Sequence, residues 1–494
     1  MRSDINQNES PNKWDNFKAD FISRCKATRT TRRLRFAFVA LLWIAFCIWM
    51  ENAWLLLVLP LLLDIYITGY IPFTWWKHSK NKLTRLIMSW VDAIVYALIL
   101  VYFIFNFIGQ NYQIPSSSLE KTLLTGDYLF VDKVTYGPRV PMTPIHFPLV
   151  HNSIFNCKSY LEWPQNGYHR LKGLRNVELG DIVVFNFPAG DTVMTNFQNP
   201  DYYQLVAKFG YYNVNNNPQF GEKITRPVDR RENYVKRAVG LPGQRLKVVD
   251  GEVWTDGVKQ KMPENAQFRY FVQSTGSPIS NKQWEDYGVT IEDIYPVPVN
   301  GIDAATIIAN GFSVKDDGSV PPIYDLPMTR DMIKQMKADG LISSVQREPA
   351  TNDDLYLFPF EMSKKLGWTR SDYGGDKGIL IPKKGLKIAL NHDNWLLYER
   401  CIRVYEGNSD AQWRNGHAYI NGKVADYYTF NMDYYFMMGD NRDCSLDSRY
   451  WGFVPEDHIV GTPRLVLISF DKDKSIFSGG IRWNRVFRIP NPDK

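Results

Sequence analysis

The stretch ENYVKRAVGLPGQRLKVVDG, residues 232–251, reads as two strands and the start of a tight turn. YVKRAV (234–239) and LKVV (246–249) are short, rich in β-branched and apolar residues, and separated by Gly and Pro. Asp250-Gly251 then supplies the dipeptide that favours a two-residue hairpin. Working outward, YLFVDKV (128–134), DIVVFNF (181–187), GKVADYY (422–428), YYFMM (434–438) and RLVLISF (464–470) have the same character, and Asn421-Gly422 repeats the hairpin signal. The expected fold is mainly β: an antiparallel β domain over residues 110–259 and 386–494. Two stretches interrupt it. Residues 188–232 are polar and rich in Asn and Pro, and residues 260–385 hold one helical-looking piece, TRDMIKQMKADG (329–340), among Pro- and Asp-rich loops. The second is read as an insertion or cap domain.

The chain before residue 110 has a different chemistry. Residues 36–50 and 53–73 are apolar runs separated only by Glu51 and Asn52, and a third run covers 87–109. Together the first two cover about 38 residues, enough for two helices of roughly 18 to 20 residues in a tight hairpin, although the first is short and Pro60 and Asp64 interrupt the second; the third is long enough by itself. Lys and Arg crowd residues 1–35 and the 74–86 loop, and Trp75 and Trp76 suit an interfacial anchor. The positive-inside rule then makes both basic stretches cytoplasmic and puts everything after residue 110 on the far side. The expectation is a multi-pass membrane protein, in contact with lipid, with an extracytoplasmic β domain. The start is too long, too basic and too often apolar for a cleaved signal peptide.

The formal net charge of +6 traces mostly to the basic clusters beside apolar runs, so nucleic acid is not an expected partner. Five cysteines, at 25, 47, 157, 401 and 444, show neither CxxC nor zinc spacing. Cys157, Cys401 and Cys444 leave room for one disulfide and one free thiol, with the pair unspecified.

Three segments carry candidate chemistry. The first is QIPSSSLEKTLLTGDYLFVDK (113–133), in which serines follow a proline, are flanked by apolar residues and lead into a strand. The second is the opening stretch, where Lys236 lies in an apolar strand. The third is MMGDNRDCSLDSRYWGFVP (437–455); it lacks the oxygen spacing of an EF-hand, so calcium is discounted, and neither metal nor cofactor is expected. Alone, each has a plain structural reading: a linker, an outward strand lysine, an acidic turn.

Together, and in this order behind apolar spans, they resemble the serine, lysine and final boxes of the type I signal peptidases, also called leader peptidases. The resemblance extends to GDIVVF (180–185) and the terminal strand near 464–470. It implies a bacterial inner-membrane serine endopeptidase that removes signal peptides from secretory preproteins, near the secretion translocon, with a Ser-Lys dyad. Carried over by position, Ser118 falls on the nucleophile and Lys236 on the general base. Ser116 falls on the oxyanion helper beside the Ser118 N–H, and Ser445 on the serine that hydrogen-bonds the lysine. Asp447 and Arg449 fall on a supporting ion pair, while Ile114, Pro115, Tyr234 and Val235 fall at the substrate pockets or beside the lysine.

The physics agrees with these roles. No histidine falls in the three segments, so the serine needs another base. A lysine serves only when neutral. From a reference pKa near 10.4, working near pH 8 takes roughly two to three pH units, about 3 to 4 kcal/mol, which burial can supply. Asp447 must then be paired with Arg449 and kept off Lys236. Ser118 lies about ten residues past the third run, within roughly 35 Å of the membrane face even if extended. That reach suits a substrate whose apolar segment stays in the bilayer while an A-x-A-like site is presented at the surface, with the extended peptide added to a strand edge.

Leu119 and Lys121 stand where the family usually has Met and Pro, and Cys444 where it usually has Asn. Lys121 would repel a protonated Lys236 if the two approached. Two other readings stay open on sequence alone: a related membrane-anchored Ser-Lys protease with a specialised substrate, and a non-catalytic membrane scaffold of the same fold.

Overall fold

The computed structural model describes residues 13–154, 157–197, 201–351, 357–471, 474–475 and 478–490. Parts of the expected N-terminal segment (1–12), of the insertion (352–356) and of the C-terminal region (472–473, 476–477 and 491–494) lie outside the described residues. The chain divides into two compact units after Phe103.

The first unit is helical. Among the described residues, Lys82–Ile108 is the one helix long and apolar enough to cross a membrane; its 27 residues rise about 40 Å. The run at 36–50 lies in helix Thr30–Trp49, whose first turns carry Arg32, Arg33 and Arg35. The run at 53–73 forms a shorter apolar helix, Ala53–Thr68. Asp64 has a structural reason to sit there. Its carboxylate accepts from the Thr68 hydroxyl (2.6 Å) and from the N–H groups of Tyr70 (2.6 Å) and Ile71 (2.9 Å), closing the chain reversal at Gly69.

The second unit is built on a seven-stranded, wholly antiparallel sheet. In spatial order its strands are Gly109–Gln113, Asp127–Asp132, Ile459–Ser469, Ile182–Asn186, Asn233–Gly240, Tyr434–Met438 and Val454–Pro455. Register shifts opposite Tyr128/Leu129, Phe130/Val131 and Phe436/Met437 bend it into a half-barrel. Its central strands lie between two cores, which is why YYFMM is apolar throughout: Tyr434, Phe436 and Met438 enter one cluster, Tyr435 and Met437 the other. Ile182 and Val184 likewise face Leu119 and Leu129, while Val183 and Phe185 face Ala238 and Trp451.

The hairpin dipeptides act as their chemistry requires. Asp250 (φ 50°) and Gly251 (φ 73°) join Arg245–Val249 to Glu252–Thr255, and Asn421 (φ 52°) and Gly422 (φ 72°) join His417–Ile420 to Lys423–Val424. GKVADYY is split by that geometry into Lys423–Val424 and Tyr427–Thr429. Within the polar stretch 188–232, helices Tyr202–Phe209 and Tyr211–Asn216 pack around Leu205, Val214 and Phe220, and Thr192–Met194 pairs with Lys223–Thr225.

Within 260–385, residues 267–347 carry a separate four-stranded sheet: Tyr295–Pro296, Ile323–Thr329, Gln267–Ser274 and Ile342–Arg347. Helix Arg330–Ala338, capped by the Thr329 hydroxyl on the Met332 N–H, lays Met332 and Met336 on a core with Val272, Trp284, Leu326 and Met328. Trp368, Tyr373, Ile379 and Ile381 pack instead with Phe436 and Phe453 of the main domain. All five cysteines are free thiols, so no disulfide closes any of these elements.

A buried ion pair ties down the C-terminal segment: Arg485 donates to Asp127 from Nε (3.0 Å) and Nη2 (2.5 Å), with both side chains sealed from solvent. Arg485→Met strands the Asp127 carboxylate and is expected to cost about 3 to 5 kcal/mol. A clear fall in the melting temperature of the detergent-solubilised chain, smaller for Arg485→Lys, checks this.

Candidate active site

Ser118 sits on a loop that the sheet closes at its base. The Ile114 N–H donates to Asp127 O, and the Gly126 N–H to Ile114 O, both at 2.9 Å. Leu119 and Leu123, one helical turn apart and fully buried, pin the intervening turn to the cluster around Leu129 and Val184. The serine is thereby fixed on a packed turn, whereas a run of three serines alone would suggest a free linker.

Lys236 comes from the neighbouring sheet position, opposite Val183 on strand Ile182–Asn186. Its side chain is 4% exposed, and Nζ lies 2.5 Å from Ser118 Oγ. Tyr234, two residues earlier on the same strand face, has its ring centroid 5.7 Å from Nζ. That ring is itself stacked on Phe187 (centroids 4.4 Å apart) and meets Trp451 edge-on. Burial pushes the Lys236 pKa down to about 8, against the opposing pull of the Asp447 and Asp440 carboxylates.

Both carboxylates are neutralised by arginines. Arg449 donates to Asp447 from Nε (2.9 Å) and Nη2 (2.8 Å), both side chains being buried. Arg237 grips Asp440 in the same two-pronged way, at 2.8 and 2.7 Å, while Thr122 Oγ1 donates to Asp440 at 2.7 Å. The Asp440–Arg237–Thr122 cluster therefore joins all three segments: the serine turn, the lysine strand and the final box. Asn441 adds two bonds to the serine turn, from N–H to Ser118 O (3.2 Å) and from Nδ2 to Ser117 O (3.3 Å).

Ser116 is exposed, with Oγ 3.5 Å from Ser118 Oγ, and among the described residues the Ser118 N–H donates to no protein acceptor. Val235 packs half-buried on Ile114, which is itself in the core, and Pro115 is exposed. Ser445 departs from expectation. Its Oγ is buried without a hydrogen-bond partner among the described residues, and the expected bond to Lys236 is not formed. Instead Ser445 packs against Gly439: a Cβ built on that glycine would meet Ser445 Oγ at 2.2 Å and Ser118 O at 2.5 Å. Lys121, which would repel a protonated Lys236 if the two approached, turns its ammonium to the carbonyl of Gly288.

Arg237, Thr122, Gly439, Asp440 and Asn441 were all within the quoted segments, yet sequence reading gave them no role. The available signal was charge parity: the final box carries three carboxylates, Asp440, Asp443 and Asp447, against two arginines, Arg442 and Arg449. Gly439→Ala is expected to force the final box off the serine turn and lower kcat by at least 100-fold. Steady-state kinetics on a preprotein, with circular dichroism to show the fold retained, checks this.

The arrangement is a serine hydroxyl against a neutral-prone buried amine, with a free backbone donor alongside; it suits acyl transfer. Comparison with known proteins agrees. The chain matches the family described as signal peptidase, peptidase S26, over residues 87–294 and 398–468, more than half its length. It is 24% identical over 417 residues to signal peptidase I of Buchnera aphidicola subsp. Acyrthosiphon pisum, covering 84% of each chain. With signal peptidase I of Haemophilus influenzae it shares 23% identity over 404 residues, 81% of this chain and 74% of that one. A third signal peptidase I, from Buchnera aphidicola subsp. Schizaphis graminum, is 45% identical over 80 residues, 14% of this chain and 26% of that protein. The matched segments contain Ser118, Lys236 and the whole final box, and on the extent of that match the chain belongs to the peptidase S26 family of signal peptidases.

Proposed function

We propose that this serine endopeptidase removes signal peptides through a dyad of Ser118 and Lys236. The observation that carries the proposal is the 2.5 Å approach of a buried Lys236 Nζ to Ser118 Oγ. Neutral Lys236 takes the hydroxyl proton as Ser118 Oγ bonds to the scissile carbonyl carbon. The carbonyl oxygen becomes an oxyanion facing the Ser118 N–H and the Ser116 hydroxyl. Collapse breaks the C–N bond, and the Lys236 ammonium returns its proton to the leaving amine. A water then enters, gives a proton to Lys236 and attacks the acyl carbon; the C–Oγ bond breaks, Lys236 passes that proton to Ser118 Oγ, and the signal peptide leaves with a free carboxylate. Asp447–Arg449 and Asp440–Arg237 support the site by keeping carboxylate charge away from the amine. Ser445 is assigned a packing role against Gly439.

The substrates are secretory preproteins with small residues before the cut. Ile114, Pro115 and Val235 border the extended substrate, and Tyr234 walls the lysine. The same reading makes the protein a multi-pass resident of a bacterial inner membrane, with residues 1–35 and 74–86 cytoplasmic and the β domain outside, near the translocon. It rests on the flanking Lys and Arg pattern and on the apolar helix Lys82–Ile108.

Cleavage of a purified preprotein in detergent tests the dyad. Wild type is expected to cut after an A-x-A-like site, and Ser118→Ala and Lys236→Ala, though folded, to lose at least 10³-fold in kcat. Full activity in Lys236→Ala would contradict the assignment of the base.

A further inference from the structure

Besides the Arg347 bond to Asp250 O (2.9 Å), the inserted module touches the final box and the serine turn. Its first strand pairs with the final box: the Gln267 N–H donates to Asp440 O (2.9 Å), the Arg442 N–H donates to Gln267 O (2.8 Å), and the Arg269 N–H donates to Asp443 Oδ2 (3.0 Å). The second contact lies on the serine turn. Lys121, three residues after Ser118, reaches out and donates its ammonium to the Gly288 carbonyl.

Both ends of that second contact are held rigidly. Lys121 has φ +70°, a left-handed conformation that a non-glycine residue adopts at a cost unless its surroundings fix it. Its neighbours on either side, Glu120 and Thr122, are buried. Gly288 follows helix Asn281–Asp286, which starts with a reciprocal Ser280/Gln283 cap. The helix ends in a tight reversal, with the Gly288 N–H on Glu285 O (2.8 Å) and the Val289 N–H on Trp284 O (2.9 Å). Trp284 is buried in the module's core. The carbonyl that receives Lys121 is thus anchored in a packed domain, and the family's usual proline at this position could not make the bond.

We propose that Lys121 is a positioning residue through which the 267–347 module holds the turn bearing Ser118 in register with the final box. The module grips Asp440–Asp443 with one strand and the serine turn with Gly288, and so bridges the final box and the serine turn, whose alignment bears on the Ser118–Lys236 distance. The role is mechanical: the Lys121 ammonium is spent on the Gly288 carbonyl of the module. It rests on the reading of Ser118 as the nucleophile.

The test compares wild type, Lys121→Met, Lys121→Arg and Ser118→Ala on one preprotein in detergent, measuring kcat, KM and the pH dependence of kcat/KM. Lys121→Met is expected to lower kcat roughly tenfold, with KM within twofold and the pH midpoint unmoved, and Lys121→Arg to restore most of the rate. An unchanged kcat, a displaced midpoint or an Arg variant as impaired as Met overturns the positioning role. If Ser118→Ala is inactive while Lys121→Met is fully active, only this role fails; cleavage by Ser118→Ala overturns the dyad with it.

Discussion

Everything in the site follows from keeping one amine out of water. A lysine on an open strand would be protonated at any physiological pH and useless as a base. Here the amine is enclosed by its own strand, the Tyr234 ring and the serine turn, and moving its pKa from the ordinary value to about 8 amounts to about 3 kcal/mol against the charged form. The fold must provide that enclosure while carrying acidic residues close by. It does so by giving Asp447 and Asp440 each a two-pronged arginine.

Those ion pairs have a second consequence. Each is buried, so breaking one leaves a stranded charge, and the Asp440 pair also joins elements far apart in the chain. Asp440 reaches Thr122 across 318 residues and Arg237 across 203. Gly439 lets the final box come close enough for Asn441 to bond the serine turn. The bonds that pair Asp440 therefore also help set the distance between hydroxyl and amine, and the inserted module adds its hold from outside.

Much of this was legible in the amino-acid sequence because the signals are local. Asp250-Gly251 and Asn421-Gly422 specify their hairpins through the φ values those residues tolerate, and YYFMM reads as a strand. The serine, lysine and final boxes could be picked out by order and composition, and the structure brings Ser118 and Lys236 together. What escaped depends on neighbours supplied by distant segments. Nothing around Ser445 signals that its hydroxyl packs on Gly439 and misses Lys236. Nothing around Lys121 says that its ammonium turns away, to a carbonyl 167 residues on. The extent of the module was hidden for the same reason: residues 267–347 pair with one another, while Trp368 to Ile381, equally rich in loops, belong to the main core.

The pH dependence of single-turnover acylation bears most directly on the central claim, because the rate should follow the neutral fraction of Lys236. With that group lowered to about 8, the rate is expected to rise roughly tenfold per pH unit below the midpoint and level off above it. Lys236 must lose its proton to act, so activity falls on the acid side. A midpoint near 8 in the wild type, moved upward when Tyr234→Ala opens the site to water, is the predicted result. A flat profile from pH 6 to 9, or a midpoint near the ordinary lysine value, would contradict the account.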